Sequence, residues 1–252
     1  MQTALAGSRK HRSLTLVWMG SAACGLRDFI GRSGRLWLLI IYPAKKISSL
    51  SGVSGRDSGV KPSDKSNGYE EFARLFMAER DSLTGVSTVR QWSRTLVRGS
   101  SILDLGCGHG VPISQVLIED GFTVYGVDAS ASLMESFRKR FPNAHAECAA
   151  FEDSTFFRRK FDAVVSVGLI FLLSSDAQCL LIRRVEQALK SNGQFLFTSP
   201  KEKCIWRDIL TQRESVSLGA QGYREVLQAE GLILVGEMSD EGNNHYYSVR
   251  KP

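Results

Sequence analysis

The chain has 252 residues, 43% of them hydrophobic and 23% charged. That length suits one α/β domain with a real core, and the composition excludes a disordered, collagen-like or membrane-embedded chain. The net charge of +6 is unevenly spread: residues 1–66 carry 11 Lys and Arg against 3 Asp and Glu, whereas residues 67–252 carry 21 against 23.

Residues 1–66 scatter Gly, Ser, Lys and Arg with no sustained apolar period, and Ser48–Asn67 has almost no large apolar residues, as in a linker. They are expected to form a basic, irregular extension. A targeting peptide and an arm for a membrane surface or nucleic acid remain open for it. The most apolar run, Leu36–Ala44, is half the roughly 18 residues a spanning helix needs, so no membrane span is expected. A folded domain is expected over residues 67–252. Its slightly acidic balance gives no support for nucleic-acid binding.

Tyr69–Arg80 places Tyr69, Phe72, Leu75, Phe76 and Met77 at helical spacing, and Val89–Leu96 reads as a short second helix. An alternation of strands and helices follows. Strands are predicted at Ser101–Leu105, Thr123–Val127, His145–Ala149, Phe161–Val167, Gln194–Thr198, Leu232–Glu237 and His245–Val249. Helices are predicted at Pro112–Asp120, stopped by Gly121, and from a capping box at Ser132–Glu135 to Pro142. Two more are predicted at Ala177–Leu189 and Tyr223–Ala229. Such βαβ units imply a mostly parallel sheet with helices on both faces.

The first strand runs into Asp104-Leu105-Gly106-Cys107-Gly108-His109-Gly110. Gly106 and Gly108 remove the Cβ that would keep a ligand off the backbone. The spacing is not the G-x-G-x-x-G of dinucleotide sites, and no G-K-[ST] follows as in a phosphate loop. Asp104 would repel a pyrophosphate and suit an ammonium. The second strand ends in Asp128, 22 residues after Gly106, where a carboxylate is placed to accept from both ribose hydroxyls.

Asp104–Gly110 resembles motif I of class I S-adenosylmethionine-dependent methyltransferases, and Tyr125-Gly-Val-Asp-Ala-Ser130 resembles their second motif. The resemblance covers about residues 67–252. It implies a Rossmann-like α/β fold with a seven-stranded, mostly parallel sheet in the order 3-2-1-4-5-7-6, the last strand antiparallel. It also implies a site for S-adenosylmethionine. Asp104, Leu105, Gly106, Cys107, Gly108 and Gly110 would line the methionine part, and Asp128 with Ala129 would take the ribose. Ala150 and Phe151 would meet the adenine, although the family's usual Asp there is absent. The end of the fourth strand, at Val167, would pass the methyl-bearing sulfur. Tyr69 and Arg80 are candidates to close over the ligand, Arg80 pairing its carboxylate.

The acceptor is expected on the rim beyond the strand ends, with Tyr69, Trp206, Asp208, Arg213 and His245 as candidates. His245 is the first candidate for a general base, and His109 reads as a loop residue. Tyr246 and Tyr247 alternate faces, so one is expected in the core. After the fourth strand the N/D/S-P-P-Y/F element of the DNA and glutamine amino-methyltransferases is missing, which favours a small-molecule acceptor. A silent S-adenosylmethionine-binding protein and a nucleotide-dependent oxidoreductase are the alternatives.

Cys24, Cys107, Cys148, Cys179 and Cys204 are odd in number and widely spaced, which suits a reducing cytoplasm and argues against a structural zinc. The four histidines show no ligand spacing, so no metal is expected. Oligomeric state leaves no signature in the sequence.

Overall fold

The computed structural model describes residues 64–80 and 83–252. The expected extension falls almost wholly outside the described residues. The chain runs α1 (Tyr69–Glu79), α2 (Val86–Ser93), β1 (Ser101–Leu105), α3 (Ile113–Glu119), β2 (Thr123–Asp128), α4 (Ala131–Arg140), β3 (His145–Cys148) and β4 (Phe161–Ser166). It continues with α5 (Ser175–Ala188), β5 (Leu189–Thr198), β6 (Lys203–Arg207), β7 (Glu214–Leu218), α6 (Gly219–Ala229), β8 (Ile233–Ser239) and β9 (His245–Arg250).

Seven strands form one sheet in the order β3-β2-β1-β4-β5-β9-β8, while β6 and β7 pair as a separate hairpin. Strands β1 to β5 are parallel where they pair, and β9 runs antiparallel to β5 and β8. Leaving the hairpin out of the count, this is the expected 3-2-1-4-5-7-6. The hairpin itself was not expected: Lys203–Arg207 and Glu214–Leu218 read as polar rim loops. Each is only five residues long, and the hydrophobic pattern is sparse.

Period-two alternation splits the core in two. Leu103, Leu105, Tyr125, Val127, Val164 and Phe195 face α5 and α6, where Leu181, Ile182, Val185 and Tyr223 meet them. Ile102, Val124, Ala163, Val165 and Leu196 face α2 and α3, meeting Val89, Trp92, Val116 and Leu117. Every residue of β1 is buried, as expected of a strand covered on both faces. Tyr246 and Tyr247 are both fully buried, one in each core. The expectation of a single core tyrosine fails because helices cover both faces of the sheet at β9.

Helix α4 starts two residues earlier than its capping-box pattern implies. Its N-cap is Ser130, whose hydroxyl accepts from the Leu133 N–H, and Ser132 instead bonds to α1. Among the described residues, no helix is long and apolar enough to cross a membrane.

Candidate active site

The glycine loop between β1 and α3 is folded back onto β2. The N–H groups of Gly106 and Cys107 both donate to the Val127 carbonyl, at 2.8 and 3.2 Å. Gly106, Gly108 and Gly110 have φ of +73°, +55° and +86°, which L side chains rarely adopt. A Cβ on Gly106 would sit 2.8 Å from the Leu169 Cβ, in the loop after β4. On Gly110 it would sit 2.9 Å from Phe137 of α4. Gly110 is thus required for helix packing, and it does not line the cavity described next, contrary to its expected place among the ligand-lining residues.

That cavity opens beyond the carboxyl ends of β1, β2 and β4, where open α/β sheets bind ligands. Asp104, Leu105, Gly106, Cys107, Gly108, Asp128, Ala129, Ala150, Phe151 and Val167 all line it, as do Tyr69 and Arg80 from the α1 segment.

Asp128 holds the loop in place. Its Oδ2 accepts from the Gly108 N–H at 2.9 Å and its Oδ1 from the Ser130 N–H at 2.8 Å. Each carboxylate oxygen has a second lone pair, so two acceptor sites remain for a ligand. Burial raises the Asp128 carboxyl above its ordinary range, and the two N–H bonds work against that shift.

Asp104 is 2% exposed, and its Oδ2 accepts from the Ser114 hydroxyl at 2.5 Å. Burial pushes it up to about 7; the Ser114 bond and the Arg80 charge pull it down, while Asp128 adds to the rise. A cation brought into the cavity would relieve this carboxylate. Two carboxylates on one wall would repel a pyrophosphate. Burial also lifts the Cys107 thiol above its ordinary value, which favours the neutral thiol.

Residues 64–80 cover one side of the cavity and are tied down by polar contacts. Glu70 accepts from the Ser130 hydroxyl (2.5 Å), the Ser132 N–H (3.1 Å) and the Ser132 hydroxyl (2.7 Å), and these bonds lower its pKa. The Tyr69 hydroxyl donates to Asp208 at 3.2 Å, Asp64 pairs with Arg213 at 2.8 Å, and Lys65 pairs with Asp153 at 2.6 Å.

The rim candidates divide accordingly. Asp208 and Arg213 hold the cover and do not line the cavity; Asp208 also caps its own turn by accepting from the N–H groups of Leu210 and Thr211. Trp206 lies on β6 against Phe171, 5.4 Å between ring centres, also off the cavity. His245 lies off it as well. Its Nε2 is 3.1 Å from Glu237 Oε2, its ring stands edge-on to Tyr247, and burial lowers its pKa despite Glu237. Side chains of a strand alternate, and at β9 the residue after His245 is the one that reaches the cavity.

That residue is Tyr246, which the sequence offered only as one of two tyrosines, either of which could be core. Its hydroxyl donates to Asp240 at 2.8 Å, and burial raises its pKa. Asp240 and Asn244 line the cavity beside it, with Thr84 and Thr198. The turn Asp240–Asn244 is polar throughout, and nothing local in the sequence distinguishes its cavity-facing members. His109 is buried and neutral at pH 7, its pKa lowered to about 4 by burial and by Arg140 and Arg80. It does not line the cavity. No group of metal-ligating side chains occurs among the described residues.

A family model described as a methyltransferase domain matches residues 102–193, from β1 into β5. The match takes in the glycine loop, Asp128, the turn after β3 and the loop after β4. A comparison with curated proteins finds no significant match.

Solved structures share the fold of the domain and its surroundings. A TehB-like S-adenosylmethionine-dependent methyltransferase from Corynebacterium glutamicum is 22% identical, with a TM-score of 0.55 over 74% of this chain and 97% of that one. Magnesium protoporphyrin IX methyltransferase from Synechocystis, with S-adenosylmethionine bound, is 13% identical, with a TM-score of 0.58 over 77% and 100%. The [4+2]-cyclase SpnF is 15% identical, with a TM-score of 0.60 over 76% and 97%. At these identities the likeness establishes the fold, and the spread of reactions among the three shows that the fold does not select the reaction.

Proposed function

We propose that this chain is an S-adenosylmethionine-dependent methyltransferase acting on a small-molecule acceptor, with residues 67–252 as the catalytic unit and the cytoplasm as its compartment. The reading rests on one observation above all: a bare-backbone loop and two carboxylates, Asp104 and Asp128, share the wall of one cavity. That wall fits a cationic nucleoside without phosphate. The four described cysteines are free thiols, in keeping with a reducing compartment.

The residues fit the group in four places. Asp104 would take the ammonium and Arg80 the carboxylate of the methionine part. Asp128 would take the ribose hydroxyls through its unused lone pairs, and Ala150 and Phe151 would flank the base. S-adenosylmethionine supplies an already activated methyl group on its sulfonium. The chain's part is therefore alignment and exclusion of water. Tyr69 and Phe76 roof the cavity, and Val167–Leu169 close it from the β4 side. Alignment of this kind supplies up to about 7–11 kcal/mol in favourable cases. At the acceptor end the Asp240 carboxylate is occupied by the hydroxyl of Tyr246 and by the N–H groups of Gly242 and Asn244. Tyr246, with its proton held by Asp240, presents a lone pair there and serves to orient an acceptor.

Calorimetry with S-adenosylhomocysteine and with NAD tests the cofactor. Binding of the first and not the second is expected; the reverse overturns the reading. Incubation with isotope-labelled methyl donor and a metabolite extract, read by mass spectrometry, then identifies the acceptor. Binding without any labelled product would favour a silent binding protein.

A further inference from the structure

The turn after β3 lacks the acidic residue expected at the adenine site, so recognition of the base falls to its backbone. What holds that backbone is Arg184, a residue of α5 that does not line the cavity. Its guanidinium donates to the Phe151 carbonyl and, at 2.5 Å, to the Ser154 carbonyl. The same group lies 4.4 Å above the Phe156 ring. The planar fork of arginine can span two carbonyls and stack at once.

The direction of these bonds matters. In a trans peptide the carbonyl and the next N–H point opposite ways. With the Phe151 carbonyl drawn toward α5, the Glu152 N–H is directed away from α5, and Glu152 lines the cavity. The N–H groups of Asp153 and Ser154 both go to the Ala150 carbonyl, at 3.0 and 2.9 Å. Those of Phe151 and Glu152 are taken by no backbone carbonyl among the described residues. The turn thus keeps a donor on its cavity side.

The chain beyond is strained in a way that needs support. Phe156, Phe157 and Arg158 have φ of +48°, +55° and +51° with no glycine among them. Such conformations persist only where the surroundings over-determine them. Here Arg184 stacks on Phe156, the Phe156 N–H donates to the Ser154 hydroxyl at 3.0 Å, and that hydroxyl donates to Glu147 at 2.9 Å.

We propose that Arg184 is the positioning residue for the nucleoside base, aiming the Glu152 N–H at a ring nitrogen of adenine. This rests on the cofactor reading given above. A hypoxanthine base carries a proton on one ring nitrogen and an oxygen in place of the exocyclic amine, so a correctly aimed donor distinguishes the two.

The test is calorimetry on the full chain with S-adenosylhomocysteine and S-inosylhomocysteine, for the wild type, Arg184→Ala and Arg184→Lys. The wild type is expected to prefer the adenine ligand by about tenfold or more. Arg184→Ala should weaken S-adenosylhomocysteine by about tenfold and bring the two ligands within about threefold of each other, with Arg184→Lys between. A general loss of stability would weaken both ligands alike and leave their ratio unchanged, which overturns the proposal. If Arg184→Ala does not fold, Arg184→Lys decides alone, because an ammonium cannot span both carbonyls, and an unchanged ratio in it overturns the proposal. Silence of the wild type toward S-adenosylhomocysteine would overturn the cofactor reading itself, and this inference with it.

Discussion

Replacing Asp128 with asparagine keeps the shape of the side chain and turns one carboxylate oxygen into an N–H donor. In the folded chain both oxygens are occupied, one by the Gly108 N–H and the other by the Ser130 N–H. The variant must set its amide nitrogen against one of them. Losing a hydrogen bond to a charged acceptor costs about 1.5–3 kcal/mol. Part of this is offset, because burial already penalises the Asp128 charge. A net loss of about 1–2 kcal/mol follows, or about 2–8 °C in melting temperature for a domain of this size. The ligand loses more than the fold. A ribose hydroxyl that donated to a carboxylate faces a neutral amide, worth about 1.5–3 kcal/mol, or roughly 10–150-fold in affinity. Thermal melts and calorimetry with S-adenosylhomocysteine measure the two effects separately. A lower melting temperature with affinity within about twofold of wild type would show that Asp128 only staples the glycine loop, and the ribose assignment would be refuted.

Asp104 predicts a pH effect. Its carboxyl is raised to about 7 when folded, against roughly 3.9 unfolded, so the folded chain holds a proton that the unfolded chain releases. Stability from this group is highest below about pH 4 and falls as pH rises to about 7. Between pH 5 and 8 the wild type should lose about 2 kcal/mol more than Asp104→Asn, seen as a steeper fall in melting temperature; parallel profiles would count against a buried, protonated Asp104. Glu70→Ala removes the acceptor for three bonds from Ser130 and Ser132. Because Glu70 is largely exposed, the loss of stability should be about 1 kcal/mol, while S-adenosylhomocysteine weakens severalfold as the cover loosens. Unchanged calorimetry would mean the cover does not contribute to binding. His245→Gln should leave the labelled products in a metabolite extract unchanged, since His245 packs against Glu237 and Tyr247 off the cavity. Loss of product at unchanged melting temperature would restore His245 as a base.

The elements that sequence made legible are those whose signal is local. The glycine loop announces itself because positive φ at three alternate positions admits little but glycine. Asp128 is legible because a strand end fixes where it points. A mostly parallel sheet follows from the alternation of strands and helices, its order came only from the resemblance, and the match of the family model to residues 102–193 covers β1 to β4 and the start of β5. The hairpin was missed because ten residues in two short strands carry too few apolar positions to show a period.

The rim candidates were harder for a different reason. Asp208, Arg213 and Trp206 were chosen for chemical type and place in the chain, yet each is used by a partner far away in sequence: Tyr69, Asp64 and Phe171. Whether a polar side chain faces a ligand or fastens a neighbour depends on which groups the fold brings against it. The choice between His245 and Tyr246 turned on one step of strand register, and reading it needs the pairing of β9 with β5, where Tyr246 sits opposite Thr198. Thr198 and Tyr246 both line the cavity, so β5 and β9 together build one end of it. The wall built by the glycine loop and Asp128 is written in one stretch, residues 104–129, whereas the opposite end is assembled from α1, β5, β9 and the Asp240–Asn244 turn, which is why the first was readable from the residues alone and the second required the fold.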